Sequence, residues 1–161
     1  MWRLVRDSGV LDVNSPYSYL ILCQHFSETC LVAEIAGELV GFVTAYRPPV
    51  TSNVIFVWQI GVARSMRGRG IGLTILEALV KKEAANGISF LEATVTPSNA
   101  PSQALFRALA QQLHTQCEET PCFPMHLFPD ETHEAEDLFR IGPFGPHCHS
   151  ETEERSHHAN V

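Results

Sequence analysis

The sequence predicts an α/β (α+β) domain in which helices flank a mixed, mostly antiparallel sheet. Two apolar runs on either side of the turn Gly37-Glu38 predict a β-hairpin. The nearly all-apolar run Val54–Val62 predicts a buried strand, and a glycine-rich turn and an amphipathic helix follow it. Strand and helix patterns then alternate over most of the remaining chain, as expected for a sheet with helices packed on it.

The composition is that of a globular protein and argues against several other classes. The 161 residues are 45% hydrophobic and 18% charged, enough for one domain with a sizeable core. No apolar run reaches membrane-spanning length, and no signal-peptide pattern opens the chain. The net charge of −7 argues against a nucleic-acid partner and suits a cationic substrate. Five cysteines without a C-x-x-C pair predict reduced thiols in a cytoplasmic protein.

Two helices are predicted before the first strand. Residues 1–7 are expected to be the end of an amphipathic helix. A second helix starts at residues 14–16, Asn-Ser-Pro, because a capping side chain followed by proline is typical of a first helical turn. It continues over residues 17–26, and its inward side chains are expected to be Leu20, Ile21 and Phe26.

Strands over residues 30–35 and 39–46 form the hairpin, and the strand Val54–Val62 is expected to be buried on both faces. The helix over residues 71–86 carries an apolar stripe that consists of Ile75, Leu76, Leu79 and Val80. The elements predicted after it are a strand over residues 88–96, a helix over 101–112, an irregular stretch over 116–137 and a short strand over 138–141.

The side chains of the helix over residues 101–112 that are expected to face inward are Ala104, Leu105, Ala108 and Leu109. Residues 145–161 are polar and rich in histidine, and they are predicted to be a disordered tail. The predicted domain is therefore residues 1–144.

The turn between the buried strand and its helix has the features of a phosphate-binding site. It consists of Arg67, Gly68, Arg69, Gly70, Ile71 and Gly72. Glycines let a backbone approach a ligand closely, and the N–H groups that open a helix bind phosphate. The arginines add forked donors. Leu73-Thr74 completes neither a Walker A loop nor the Rossmann fingerprint. A glycine-rich turn that merely connects two elements is the alternative.

The pattern R-x-x-G-x-G in this turn resembles the acetyl-CoA pyrophosphate loop of the GNAT superfamily of N-acetyltransferases. Asn99, followed by Ala104-Leu105-Phe106, is similar to a second signature of that superfamily, and the element order is also similar. The resemblance implies a GNAT-like fold with acetyl-CoA as co-substrate. It also implies a strand before the first helix, so a first edge strand is expected to be missing from this chain.

Four segments resemble a narrower family, the diaminobutyrate acetyltransferases of ectoine biosynthesis. They are residues 12–19, 56–59, 93–99 and 138–143. The resemblance implies transfer of acetyl from acetyl-CoA to the 4-amino group of L-2,4-diaminobutyrate, by direct attack in a ternary complex. Another enzyme then cyclises the product to ectoine. The alternatives are another small-amine or protein N-acetyltransferase and a non-catalytic acyl-CoA-binding module.

The same resemblance implies how the acyl carrier is held. The backbone around Ile60 and Val62 pairs with the pantetheine arm, and an N–H near Val62 polarises the thioester carbonyl. Asn99 lies beside that arm, although a plain helix N-cap is its alternative role. Phe106 stands where many members of the superfamily have a tyrosine near the sulfur. Because phenylalanine donates no proton, Phe106 cannot take the role of general acid that is usually assigned to this tyrosine.

Substrate contacts are expected from Asp12, Tyr17 and Trp58. Asp12 accepts from an ammonium group, and the two aromatic side chains border the aliphatic chain. A solvent-facing loop acid is the alternative for Asp12, and a plain core aromatic is the alternative for Trp58.

A base is needed because an alkyl amine with a pKa of about 10.4 is almost fully charged at neutral pH. The first candidate is Glu136 and the second is Glu92, while His133 relays a proton or binds the substrate carboxylate. A solvated acidic loop is the alternative for residues 133–137.

The histidines of the tail, at residues 147, 149, 157 and 158, have no second ligand cluster at structural spacing, so no metal is expected. The expected partner is a small diamine. No nucleic-acid or membrane partner is expected, and the sequence does not decide whether the protein forms a homodimer.

Overall fold

A computed structural model describes residues 1–9, 11, 13–129 and 133–145. The helices are α1 (Trp2–Ser8), α2 (Pro16–His25), α3 (Ile71–Ala84) and α4 (Ala100–Gln112). The strands are β1 (Leu31–Ile35), β2 (Glu38–Tyr46), β3 (Val54–Val62), β4 (Phe90–Val95), β5 (Gln116–Phe123) and β6 (Glu136–Gly142). Except for Gly145, the predicted tail lies outside the described residues.

The strands form one sheet in the order β1-β2-β3-β4-β6-β5, and only the β3–β4 pair is parallel. This confirms the predicted mixed, mostly antiparallel sheet. Helices α3 and α4 contribute to the main core, whereas α1 and α2 contribute to a smaller cluster centred on Val5, Tyr19 and Phe42. None of the described helices is long and apolar enough to cross a membrane.

Helix α2 starts as predicted but faces the sheet with a different residue. The Ser15 side chain accepts a hydrogen bond from the Ser18 N–H at 3.3 Å, and Pro16 opens the helix. The expected inward residue Leu20 is 66% exposed, and Tyr19 is buried instead. The Tyr19 hydroxyl donates to Gln59 Oε1 at 2.8 Å. Burial of a tyrosine is favourable when its hydroxyl finds such a partner.

Strand β3 contains a β-bulge at Trp58. Thr44 of β2 pairs with Gln59, but the next residue, Ala45, pairs with Val57, which leaves Trp58 without a partner. The extra residue shifts the alternation of side chains between the two faces of the sheet. Trp58 is therefore 52% exposed, and the expectation that this strand is buried on both faces is wrong at that position.

Strands β3 and β4 are paired only at one end. The parallel register joins residues 54–56 to residues 90–92 and goes no further. Both strands continue past that point, to Val62 and Val95, without pairing with each other. The sheet therefore opens between its two central strands, next to the start of α3.

Helix α3 buries Ile75, Leu76, Leu79 and Val80, as predicted. Helix α4 buries a different stripe, because Phe106 and Ala110 join Leu109 in the core while Ala104 is exposed. The expectation that Ala104 faces inward is wrong. The large ring of Phe106 packs on Phe139, with 6.1 Å between ring centroids, and turns the small Ala104 outward.

Strand β5 was predicted to be irregular, and this prediction is wrong. Its sequence is mostly polar and contains Pro121, but it pairs antiparallel with β6 along the edge of the sheet. Proline is tolerated on an edge strand, where its missing N–H faces away from the ladder. A bulge at Cys122 ends the regular register, because Pro121 pairs with Asp137 and Phe123 with Glu136.

Candidate active site

A cavity of about 590 Å³, called here the cofactor cleft, occupies the opening between β3 and β4. Its walls come from β3, from the glycine turn with the start of α3, and from the β4–α4 loop. The residues predicted from sequence to hold acetyl-CoA that line it are Ile60, Val62, Arg67, Gly68, Gly70, Ile71, Gly72 and Asn99. Leu11, Thr96, Ser98 and Ser102 also line it and were not predicted.

The glycine turn gives this cleft an end that suits an anion. Gly68 and Gly70 have φ values of +73° and +77°, a left-handed conformation that glycine adopts without strain. Gly70 is the N-cap of α3, and no side chain caps this helix. The first N–H groups of α3 therefore have no side-chain acceptor and, together with the helix dipole, favour a phosphate.

The two arginines of the turn differ in their surroundings. Arg67 lines the cleft, and its guanidinium donates to the backbone carbonyls of Val62 and Ser8, each at 3.3 Å. Arg69 is exposed, as Arg67 is, but it is not among the lining residues of the cleft. The two arginines are therefore not equivalent phosphate ligands.

The side wall of the cleft is an unpaired strand edge. Strand β2 pairs with one edge of β3 through residue 62, whereas β4 leaves the other edge at residue 56. Backbone N–H and C=O groups along the second half of β3 are strong hydrogen-bonding groups that an extended ligand can satisfy. The cleft thus fits a long arm that ends in phosphate, which is the shape and chemistry of coenzyme A.

Asn99 forms part of the opposite wall. Its Oδ1 accepts from the Ser102 N–H at 3.2 Å, so the side chain is the N-cap of α4. The alternative role considered from sequence is thus present. A contact with the acyl carrier remains a prediction, and it is compatible with the cap because the amide nitrogen of Asn99 is not used by this bond.

A smaller cavity of about 70 Å³ adjoins the cleft at the β3 bulge. It shares Leu11, Ile60 and Asn99 with the cleft and adds Trp58 and Thr94 to the lining. We call it the inner cavity. Its position beside the unpaired strand edge places Trp58 close to where an acyl group would end.

Phe106 is buried in the core and lines the inner cavity, but it is not among the lining residues of the cleft. A contact between Phe106 and the cofactor stays a prediction.

The candidate base Glu136 lies at the start of β6, next to His133. The His133 Nε2 is 3.9 Å from Glu136 Oε1, and the ring stacks on Phe128 with 3.8 Å between centroids. His133 Nδ1 is 2.6 Å from the carbonyl oxygen of Glu134. Because a carbonyl only accepts, Nδ1 carries the hydrogen and Nε2 points towards the carboxylate. The 3.9 Å between His133 Nε2 and Glu136 Oε1 is longer than a hydrogen bond, so the two side chains are neighbours without a direct bond between them.

Glu92 is in a different setting. It accepts a hydrogen bond from the Arg140 guanidinium, which lies 3.9 Å from the centroid of the Phe90 ring. Neither Glu92 nor Glu136 is among the lining residues of the cleft or the inner cavity. The two candidate bases thus differ in their partners, histidine for Glu136 and arginine for Glu92, and which of them is the base stays a prediction.

Both carboxylates lie near the Cys122 thiol. Burial raises the pKa of Cys122, and the negative charges of Glu136 and Glu92 raise it further. The thiol therefore stays protonated at neutral pH, and Cys122 is a poor nucleophile here.

The predicted substrate contacts are only partly described. Asp12 lies outside the described residues. Tyr17 is 69% exposed on α2 and does not line either cavity, whereas Trp58 lines the inner cavity.

Sequence reasoning missed Leu11, Ser98 and Glu134. Ser98 carried a signal, because it lies between Pro97 and Asn99 in a segment already assigned to the site. Leu11 and Glu134 likewise adjoin predicted site residues, Asp12 and His133, but their own contacts are with residues distant in sequence, which no local pattern indicates. Among the residues that the structure describes, no group of three or more histidines, cysteines and acids could hold a metal.

Comparison with known proteins first establishes the class. The model of the acetyltransferase (GNAT) family matches residues 2–110, well over half of the chain. The chain belongs to the GNAT acetyltransferase family. A ribosomal-protein alanine N-acetyltransferase from Escherichia coli, 17% identical, has the same fold with a TM-score of 0.64 over 89% of this chain and 85% of its own.

More similar proteins define a narrower family within this class. An L-2,4-diaminobutyric acid acetyltransferase from Shouchella clausii is 51% identical over 89% of this chain and 80% of its own length. One from Halalkalibacterium halodurans is 53% identical over 91% and 77%. The structure of a Paenibacillus lautus diaminobutyrate acetyltransferase with L-2,4-diaminobutyric acid and coenzyme A is 44% identical, with a TM-score of 0.84 over 89% and 87%. The predicted resemblance to the diaminobutyrate acetyltransferases is confirmed.

Proposed function

We propose that this protein transfers the acetyl group of acetyl-CoA to the 4-amino group of L-2,4-diaminobutyrate, the acetylation step of ectoine biosynthesis. The observation that carries the proposal is the cofactor cleft, which ends at the uncapped N-terminus of α3. Relatives at 51% and 53% identity bear that activity in their names, and a similar protein was solved in complex with L-2,4-diaminobutyric acid and coenzyme A. Transfer by direct attack within a ternary complex needs no covalent enzyme intermediate.

The glycine turn and the edge of β3 hold the acyl donor. The N–H groups that open α3 and the Arg67 guanidinium bind the pyrophosphate. Backbone groups around Ile60 and Val62 bind the pantetheine arm as a neighbouring strand would. Acetyl-CoA, when bound, supplies the acetyl group as a thioester, and an N–H near Val62 stabilises the negative charge that develops on its carbonyl oxygen.

The residues that orient the diamine are Asp12, Tyr17 and Trp58. Trp58 borders the inner cavity with a large apolar face, which suits the short aliphatic chain of the substrate. Asp12 pairs with an ammonium group. This assignment depends on the resemblance of residues 12–19 to the family.

Glu136, together with His133, activates the amine by removing its proton. Deprotonation of an amine whose pKa is about 10.4 costs roughly 4–5 kcal/mol at neutral pH, and a positioned base offsets part of this cost. The imidazole, whose Nε2 lies 3.9 Å from Glu136 Oε1, can take up the proton, and once protonated it pairs with the carboxylate. Glu92 remains the second candidate.

The proposed setting is the cytoplasm, without nucleic-acid, membrane or metal partners, and a homodimer is compatible with the proposal. The odd number of cysteines without a C-x-x-C pair favours a reducing compartment. The net charge of −7 favours cationic small molecules over nucleic acid.

The test is CoA release with a panel of amines: L-2,4-diaminobutyrate, L-ornithine, L-lysine, putrescine and an N-terminal peptide. We expect the highest kcat/KM for L-2,4-diaminobutyrate and a product acetylated at the 4-amino nitrogen, identified by NMR. Faster acetylation of another amine would replace the proposed substrate. Acetyl-CoA binding by calorimetry without turnover of any amine would indicate a non-catalytic module.

A further inference from the structure

The segment before β6 is joined to the β4–α4 loop by a single acidic side chain. Glu134 accepts from Ser98 with both carboxylate oxygens. The Ser98 N–H donates to Oε2 at 3.1 Å, and the Ser98 hydroxyl donates to Oε1. The two residues are 36 positions apart in sequence. Since a carboxylate forms strong hydrogen bonds when both oxygens are used, this contact, called here the Glu134–Ser98 bridge, fixes the spacing between the two loops.

On one side, the bridge holds a wall of the cofactor cleft. Ser98 and its neighbour Asn99 both line the cleft. This loop has a second attachment, because the Gln103 side-chain amide donates to the carbonyls of Thr96 at 3.2 Å and Pro97 at 2.9 Å. Loss of the bridge therefore leaves the loop attached to α4.

On the other side, the bridge holds the candidate base. Glu134 lies between His133 and Glu136, and its own carbonyl oxygen accepts from His133 Nδ1. One residue thus contacts the cofactor wall through its side chain and the imidazole through its backbone.

We propose that Glu134 is a positioning residue that sets the place of the His133–Glu136 pair relative to the acyl donor in the cofactor cleft. The proposal rests on the proposed function. Glu134 need not touch either substrate, because it acts through Ser98 on one side and through His133 on the other. A displacement of about 1 Å in a reacting group is enough to lower a rate substantially.

The test compares Glu134→Gln, Ser98→Ala, the double variant and the control Glu34→Gln, an exposed acid on β1. Glutamine keeps the size of the side chain but removes its negative charge, and its single amide oxygen can accept from the Ser98 N–H or from the hydroxyl but not from both, so the charge-assisted contact through two oxygens is lost. We expect Glu134→Gln to lower kcat about tenfold at neutral pH, with the Kd of CoA and the Tm nearly unchanged. The double variant should be no slower than the slower single variant, because both substitutions remove the same contact.

The pH dependence separates a positioning role from general loosening. As the pH approaches about 10.4 the amine loses its proton without a base, so the deficit of Glu134→Gln should shrink. The proposal would be overturned by a loss of kcat that is constant with pH or is equal to the loss in Glu34→Gln. It would also be overturned if the losses of kcat in the two single variants multiply in the double variant.

A second measurement does not depend on the substrate. In the CoA complex, the Ser98 amide should exchange its hydrogen faster in Glu134→Gln than in the wild type or in Glu34→Gln. Unchanged exchange overturns the bridge even if acetylation is observed. If the wild type fails to acetylate diaminobutyrate but the exchange changes as expected, the proposed function is wrong and the bridge stands.

Discussion

At the scale of single residues, neighbours in the sequence have different chemistry because their surroundings differ. Arg67 and Arg69 are both exposed, but Arg67 lines the cofactor cleft and donates to two backbone carbonyls, whereas Arg69 is absent from the lining. Glu136 faces a histidine, whereas Glu92 is held by arginine. Each pair offers a matched comparison.

We predict that Arg67→Ala raises the KM for acetyl-CoA far more than the KM for the amine. A charge-assisted hydrogen bond contributes roughly 1.5–3 kcal/mol, which corresponds to a change of about ten- to a hundredfold. Arg69→Ala is the control and should change the same KM by less than about threefold, as expected for an exposed charge. Steady-state kinetics with each substrate varied in turn measures both constants. Equal effects of the two substitutions would contradict the assignment of Arg67.

We predict that Glu136→Gln lowers kcat at neutral pH by about a hundredfold or more, the usual contribution of a general base. The loss should diminish about tenfold for each pH unit as the amine approaches its pKa of about 10.4, because free amine then becomes available. Glu92→Gln is the comparison and should have the smaller effect. A larger loss with Glu92→Gln, recovering at high pH, would exchange the two roles.

At the scale of secondary-structure elements, the start of α3 depends on a backbone conformation. Gly70 has φ +77°, and a Cβ added there meets nothing within 4 Å. Gly87, in the turn after α3, has φ +83° and equally open surroundings. Alanine at either position is strained by roughly 1–2 kcal/mol, because L-residues disfavour positive φ.

We predict that Gly70→Ala and Gly87→Ala lower the Tm by similar amounts, since the backbone strain is similar. Only Gly70→Ala should also raise the KM for acetyl-CoA, because relief of the strain reorients the N–H groups that open α3. Thermal melts and acetyl-CoA kinetics on the two variants provide the measurement. An increase in KM for Gly87→Ala of the same size would show that the effect is global.

At the scale of the whole molecule, α3 is fixed to the sheet by an ion pair. Glu83 on α3 has a side chain that is 0% exposed, and it accepts from Arg47, just beyond β2, at 2.7 and 3.2 Å. Removal of one partner from a buried pair is strongly destabilising, because a buried charge loses its counterion. The pair therefore holds the helix whose N-terminus forms the anion end of the cleft.

We predict that Arg47→Ala lowers the Tm by about 4–8 °C, corresponding to roughly 2 kcal/mol in a chain of this size. The arginine is 43% exposed, so water offsets part of the loss. Arg107→Ala, which breaks the surface pair with Glu119 at 2.7 Å, is the control and should cost less than about 1 kcal/mol. Adding Glu83→Gln to Arg47→Ala should recover stability. A double variant that melts lower than Arg47→Ala would show that the buried charge is not the cause.

Much of the fold could be predicted from local sequence. The N-cap at Ser15, the buried stripe of α3, the hairpin turn at Gly37 and the glycine turn at residues 67–72 depend on neighbours within a few positions. Their signals are capping side chains, the helical period and glycines at turn positions, all of which can be read from the sequence. The family followed from the same turn.

The tertiary structure alone decided the features that join distant segments. The bulge at Trp58 depends on the register with β2, the burial of Tyr19 on a hydrogen bond to Gln59, and the strand β5 on its pairing with β6. The Glu134–Ser98 bridge spans 36 positions. Such contacts leave no periodicity in the sequence, because register and burial are set by long-range packing. The sequence by itself therefore determined the phosphate turn and the class of chemistry, and the folded chain decided which acid stands beside the histidine.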